Sequence, residues 1–231
     1  MFETRGEVSA LETARTALHS AERRVGVRHR SEALAPVSQQ PDPLPGLLPG
    51  GVLPAGAAVV VSGSAGLLGW LLGATQRAAW LAVVGWPELG IVALVEAGVD
   101  LERVVTVPEV SGQAPAVLAA LIGGVDLVVV GAGVRVAGAE QRRLLARARK
   151  HGTTILSPQA WQGAIVRLEV EDATRGGLDR GDGYLRQARL AVRRQSAADG
   201  AGRWFTVERD GNGTVAIKPA VRSVGVRASA G

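Results

Sequence analysis

Cysteine is absent from the 231 residues, which excludes disulfides, zinc–cysteine sites and a thiol nucleophile. Histidine is scarce: His19, His29 and His151 form no close pair, so zincin-type metal chemistry has no ligands to work with. Lysine is nearly missing as well. Lys150 and Lys218 are the two lysines and every other basic residue is Arg. With the Ala, Gly and Val richness, that reads as a high-GC coding bias rather than a selected basic surface. Lys and Arg total 26 against 21 Asp and Glu, a formal charge of +5, which permits weak attraction to nucleic acid without demonstrating it. No apolar run follows a basic start at the N-terminus, so no signal peptide is read there. Residues 44–76 carry no charge, yet Gly56, Gly63, Gly66, Gly69 and Gly73 interrupt them. A Val59-Val60-Val61 run followed by a Leu/Trp/Ala segment reads as a buried strand-turn-helix, not a membrane span. The expected location is the cytoplasm, with no membrane partner.

What is present is an ordinary globular balance, 47% hydrophobic and 20% charged, enough for one domain with a sizeable core plus an arm. Residues 7–25 carry Val8, Leu11, Ala14, Leu18, Ala21 and Val25 at helical spacing. Pro36, Pro41, Pro43, Pro45 and Pro49 then exclude a continuing helix and mark a linker. The expected organisation is a helical arm and linker over 1–40, a core over 41–220 and a loose tail over 221–231.

Within the core, strands and helices alternate. Strands are predicted at Ala57–Val61, Ala82–Gly85, Val104–Val107, Leu127–Val130 and Thr154–Leu156. Helices are predicted at Leu67–Leu81, Glu88–Ala97, Ala114–Ile122 and Glu140–Lys150. Continuous apolar strands in such alternation mean a parallel sheet covered on both faces. After Pro158 the pattern changes to period-two alternation at Ile165–Val170, Arg189–Arg193, Trp204–Glu208 and Val215–Lys218. Asp210-Gly211-Asn212-Gly213 is the clearest hairpin turn among them. The fold class is therefore α/β: a mostly parallel sheet flanked by helices, extended by antiparallel strands at the C-terminal end.

In such a sheet, ligands sit beyond the carboxyl ends of the strands, and the first strand-to-helix turn commonly meets phosphate. Here that turn is Ser62-Gly63-Ser64-Ala65-Gly66-Leu67-Leu68-Gly69-Trp70. Its context suits a phosphate loop, but its residues do not. Counting from Gly63, Leu68, Gly69 and Trp70 stand where the Gly, Lys and Ser/Thr of a phosphate loop would be. Neither lysine of the chain follows a Gly-rich turn, so no other segment supplies the motif.

The order and spacing of these segments resemble the ATP-binding core of RecA over roughly residues 47–218. Leu53-Pro54-Ala55-Gly56 with its strand and Gly63 looks like the entry to that core. Glu96-Ala97-Gly98-Val99-Asp100-Leu101 is similar to a RecA helix end, and Gly124–Val130 to the Walker B strand. The resemblance also locates what is missing. Gly131 stands at the position of the magnesium-organising Asp and Trp86 at that of the catalytic Glu, while Gln159 alone matches the phosphate-sensing Gln. The two segments that match RecA's mobile DNA-contacting loops are shortened, and its C-terminal domain has no counterpart.

A core of this kind resembles the actinobacterial ImuA-prime proteins, accessory members of a mutagenic translesion-synthesis mutasome; SOS-linked division inhibitors share the same degenerate pattern. The resemblance implies a non-catalytic pseudo-ATPase scaffold with no catalytic residues, cofactor or metal. It also implies partnership with ImuB, an inactive relative of Y-family polymerases, and with an error-prone replicative-type polymerase. Weak or no binding of nucleic acid is expected, and self-association through the N-terminal helix is open alongside docking of that helix on its own core.

Two readings of other classes compete. Ser62-Gly63-Ser64-Ala65-Gly66 has the shape of a nucleophile elbow, with Ser64 as a serine-hydrolase nucleophile. Only His151 follows it, at a helix end, and Asp126 opens its strand at the wrong edge of the sheet. A DNA-binding module would use Arg186, Arg189, Arg193, Arg194, Arg203 and Arg209 on the C-terminal strands, with stacking by Trp70, Trp80, Trp86, Trp161 and Trp204. Cavity filling by Trp70 and Trp86 is the simpler account of those two. The segment 172–183 lacks calcium-loop spacing and reads as a flexible loop.

Overall fold

The computed structural model describes residues 44–87, 89–110, 112–176, 187–210 and 214–220. The helix expected over 7–25, most of the proline-rich linker, the hairpin tip 211–213, Arg186 and the tail 221–231 lie outside the described residues.

Nine strands form one sheet in the order β3-β2-β4-β5-β1-β6-β7-β8-β9. They are β1 Ala58–Ser62, β2 Leu81–Val84, β3 Val104–Val107, β4 Leu127–Val130, β5 Thr154–Ser157, β6 Val166–Gly176, β7 Gln187–Ser196, β8 Arg203–Arg209 and β9 Val215–Ala220. All pairings from β3 across to β6 are parallel. Those from β6 to β9 are antiparallel. The helices are α1 Ala65–Gln76, α2 Ile91–Glu96, α3 Ala114–Leu121 and α4 Gly138–His151. The α/β class with a mostly parallel sheet and an antiparallel extension is thus the observed fold.

Strand alternation divides the core in two. On one face, Val59, Val61, Val83, Val129 and Leu156 join Leu168, Leu190, Val192 and Val207 beneath Leu67, Leu68, Leu71 and Leu72 of α1. On the other, Ala58, Val60, Val84, Val128, Val130 and Ile155 pack against Leu118 of α3 and Leu144, Leu145 and Ala148 of α4. No residue of β7, β8 or β9 belongs to that second cluster.

Several boundaries differ from expectation, and four of the differences have a clear local reason. The prolines around residue 45 read as linker, yet 44–47 and 49–51 are 3-10 turns that bury Leu44, Leu47 and Leu48 in the core. Helix α1 stops at Gln76 rather than running to Leu81. Arg77 turns the chain with φ 45°, and the Gln76 amide is held by the Asp100 backbone, accepting from its N–H at 2.7 Å and donating to its carbonyl at 3.1 Å. Helix α2 begins at Ile91, after a turn in which Leu89 N–H donates to Trp86 O. Asp172–Gly176, read as part of a flexible loop, extends β6 and pairs with Ala191–Gln187 of β7 past a register shift between Val170 and Asp172.

Candidate functional site

The carboxyl ends of β1, β4 and β5 meet at one edge of the sheet, where the resemblance to a nucleotide-binding core would put its chemistry. Gly63 leaves β1 at φ 82°, and a Cβ there would lie 2.4 Å from Val170 O. Only glycine permits so close a passage beneath β6. Ser64 is the N-cap of α1, its Oγ accepting the Leu67 N–H at 3.2 Å. The positions that would face phosphate and metal point elsewhere. Leu68 is fully buried, and Trp70, 9% exposed, packs in the core with its ring close to Gly66 and under the Arg209 guanidinium at 5.2 Å.

The end of β4 is closed in a different way. Gly131 passes so near the β2 turn that a Cβ would sit 2.3 Å from Gly85 O and 2.5 Å from Trp86 Cβ. No side chain fits at that position, least of all a carboxylate with a hydrated cation. Gln159 is turned toward β4: its side-chain amide donates to Ala132 O, and its backbone N–H donates to Ser157 Oγ at 3.1 Å. It braces two loops and leaves the β1 turn alone.

Ser64 and His151 are not brought together. Ala58 of β1 pairs with Ile155 of β5, so His151, just before β5, stands at the amino edge of the sheet, whereas Ser64 stands at the carboxyl edge. The His151 ring packs beside Gly123. Asp126 also lies at the amino edge and accepts the Trp80 N–H at 2.9 Å. The geometry gives a cap, a spacer and a strand anchor, not a triad.

The arginines expected to form one basic region are dispersed over both faces. Arg189 and Arg193 lie on the open face of β7, Arg189 paired with Glu208 at 3.5 Å and Arg193 donating to Ala201 O. Arg194 is buried on the opposite face at 6% exposure. There it donates to both oxygens of Asp199, at 2.7 and 2.8 Å, and to Leu47 O at 3.2 Å. Arg194 and Arg203 also lie over the Phe205 ring. The Arg194 hydrogen bonds hold the Asp199 carboxyl below its ordinary 3.8, outweighing the upward push of burial, and Ser196 Oγ adds a further donor. Sequence reading missed this anchor, whose signal is an Arg and an Asp flanking a short turn. Of the five tryptophans, Trp70 and Trp161 are core members, Trp80 and Trp86 pack against the core, and Trp204 is half-buried on β8.

A cavity of about 390 Å³ opens between the ends of β4 and β5 and the start of α4, lined by Val130, Val134–Ala137, Gln141, Ser157 and Gln159–Trp161. Of these, sequence reading singled out Gln159 for a role at the sheet edge and Trp161 only for stacking. Three segments far apart in the chain supply the walls, so no local pattern announces it.

Comparison with known proteins gives a family match over this same region. A family described as the MT3502 N-terminal domain matches residues 46–163. The "Uncharacterized protein Rv3395c" of Mycobacterium tuberculosis is 38% identical over 150 residues, covering 61% of this chain and 74% of that protein. Among solved structures, SulA from Pseudomonas aeruginosa has 23% identity and a TM-score of 0.36, covering 45% of this chain and 98% of SulA. The CcbJ methyltransferase from Streptomyces caelestis has 14% identity and a TM-score of 0.25, covering 80% of this chain and 74% of that one. At those scores the two structures say nothing about what this chain does.

Proposed function

The chain belongs to the MT3502 N-terminal domain family, and from that premise we propose that it is a non-catalytic accessory protein built on a degenerate RecA-like core. It acts in the cytoplasm through protein–protein contacts in DNA-damage tolerance, with an inactive relative of Y-family polymerases as partner. The observation that carries this reading is the packing that fills the turns after β1 and β4 at the carboxyl edge of the sheet. Gly131 admits no side chain against Gly85 and Trp86, and Leu68 and Trp70 are committed to the core. A sheet edge that uses its metal and phosphate positions for packing is suited to holding a shape rather than to turning over nucleotide.

A surface for protein contact supports the same reading. Helix α2 exposes Ile91, Val92 and Val95 at 58, 72 and 52%. Apolar side chains exposed together on one short helix are a feature of interaction sites. The partner assignment itself rests on the resemblance to ImuA-prime proteins. Affinity purification of the tagged full chain after DNA damage, with mass spectrometry, tests it. The expected result is damage-dependent capture of the Y-family relative, reduced by Val92→Asp. Absence of that protein, or equal capture with Val92→Asp, contradicts the proposal.

A further inference from the structure

The surplus positive charge of the chain is gathered, not spread. Between Val110 and His151 the sequence holds six cations, Arg135, Arg142, Arg143, Arg147, Arg149 and Lys150, against two acids, Asp126 and Glu140. That stretch supplies +4 of the formal +5. Five of the six cations stand on α4, and all five are exposed. Leu144, Leu145 and Ala148 turn to the core, so the outward arc of the helix consists of those five cations with the exposed Ala139 and Ala146 among them. Glu140 is the single acid of the helix and pairs with Arg143 at 2.6 Å, leaving that Arg side chain 77% exposed. Arg142 donates to the Gln162 side-chain oxygen, and Arg147 Nε donates to Ile122 O at 3.1 Å. Both acceptors are neutral; they position the guanidinium groups without cancelling their charge. Arg142, Arg147, Arg149 and Lys150 have no ion-pair partner among the described residues. The neighbouring α3 carries no charged residue, and Asp126 is held by the Trp80 N–H at the amino edge of the sheet.

Cations in the last turn of a helix suit its dipole, which accounts for Arg149 and Lys150 but not for the others. Arg143 and Arg147 are four residues apart and Arg147 and Lys150 three apart, spacings at which like charges oppose the helix. A polyanion laid on this arc relieves that repulsion. A protein partner fits it poorly, because interface cores are depleted of charge and anchored by aromatic or large apolar side chains, and here there are two alanines. A single nucleic-acid strand is held by stacking on aromatic side chains, and neither α3 nor α4 has one. The phosphates of a duplex ask for cations alone, and the guanidinium fork matches them. From Arg142 to Lys150 the helix rises about 12 Å, close to the width of the B-form major groove, so phosphates on both rims come within reach of one helix. We propose that α4 docks on double-stranded DNA through its phosphates, without regard to sequence. Leu94 of α2 packs in the core cluster on the opposite face of the sheet from α4. DNA on α4 therefore leaves the apolar surface of α2 open to a protein partner, and either contact can be tested without the other.

Fluorescence anisotropy of a short labelled DNA duplex of mixed sequence, titrated with the full chain, tests this. Binding is expected to weaken about 200-fold between about 50 and 200 mM salt, a logarithmic slope near −4 from four to five phosphate contacts. Arg143→Gln, Arg149→Gln and Lys150→Gln made together should flatten the slope to about −1. All three side chains are exposed, so the triple variant should melt within a few degrees of the parent. Arg189→Gln, Arg193→Gln and Lys218→Gln, on β7 and β9, change the net charge equally and should leave the slope as it is. If the α4 triple variant folds poorly, Arg143→Gln and Lys150→Gln made singly should each flatten the slope by about one. Absence of binding at about 50 mM salt, or equal losses in the two triple variants, overturns the proposal. Tighter binding of the single strand or of an RNA duplex overturns the assignment to double-stranded DNA, as does displacement by polyglutamate as effective as by unlabelled duplex.

Discussion

The two halves of the sheet solve the burial problem differently. In the parallel half, β2, β4, β5 and β1 are covered on both faces, and every residue of β2, β4 and β5 is buried. In the antiparallel half, β7 alternates, with Ala188, Leu190, Val192 and Arg194 inward and Gln187 and Arg189 outward. Among the described residues, α1 and the 44–51 turns lie over this half on the inner face, and Arg209 of β8 donates to the Glu96 carbonyl at the end of α2. The difference follows from connection length. Parallel strands need crossovers, and crossover helices cover faces; hairpins carry no helix and leave a face to water. The parallel half can therefore enclose a cavity at its carboxyl edge, and the antiparallel half can present only a surface.

The sharpest way to break the comparison is to put a charge on each face of each half. Val128→Asp and Val129→Asp, neighbours on β4, should both unfold the protein. A buried unpaired carboxylate costs on the order of 5 kcal/mol, comparable to the whole stability of a small domain. On β7 the faces should part company: Val192→Asp unfolds, while Ala191→Asp lowers the melting temperature by only a few degrees. If Ala191→Asp is as damaging as Val192→Asp, the outer face is covered and the contrast fails.

A smaller effect is expected where the antiparallel half is tied to the 44–51 turns. Asp199→Asn leaves Arg194 buried beside the Leu47 carbonyl without its counter-charge, a loss of about 3 kcal/mol in denaturant unfolding. The pH dependence has a definite sign. Because the folded carboxyl titrates below its ordinary 3.8, its contribution is complete above that value and is lost as pH falls through the lowered one. The parent should lose stability below about pH 4 more steeply than Asp199→Asn does. Parallel acid limbs for the two proteins would show that the pair is not linked to stability.

Least should follow from the open face. Glu208 pairs with Arg189 at 3.5 Å and Lys218 at 3.3 Å, and all three side chains are more than a third exposed. Glu208→Gln should cost no more than about 0.5 kcal/mol, an effect that shrinks further in high salt. A loss of several kcal/mol would mean that this face is not solvated.

The same contrast explains what could be read from the residues. Val104–Val107 and Leu127–Val130 stand where the apolar runs put them, because a short uninterrupted β-branched run between turn residues has few other uses. The end of α1 was hidden, since Leu81 continues an apolar pattern while the event that stops the helix is tertiary: Gln76 gripping the Asp100 backbone. Asp172–Gly176 could not be read as strand, because backbone pairing with β7 and not side-chain pattern holds it there. At the carboxyl edge, the lost phosphate-loop residues were legible as missing side chains. That Gly131 leaves no room to restore one was not, for it depends on Gly85 and Trp86 arriving from another strand. Arg194 looked like surface charge until Asp199 gave it a reason to be buried.

The central claim is that the phosphate and metal positions after β1 and β4 have been filled with packing and no longer receive nucleotide. A ligand that binds the folded state raises its melting temperature by linkage, in proportion to the logarithm of its concentration over its dissociation constant. Thermal melting of the full chain across a series of ATP concentrations with magnesium, up to millimolar, therefore tests the claim directly. The expected result is a melting temperature that does not move. A saturable upward shift with Mg-ATP, absent with magnesium alone, would contradict it.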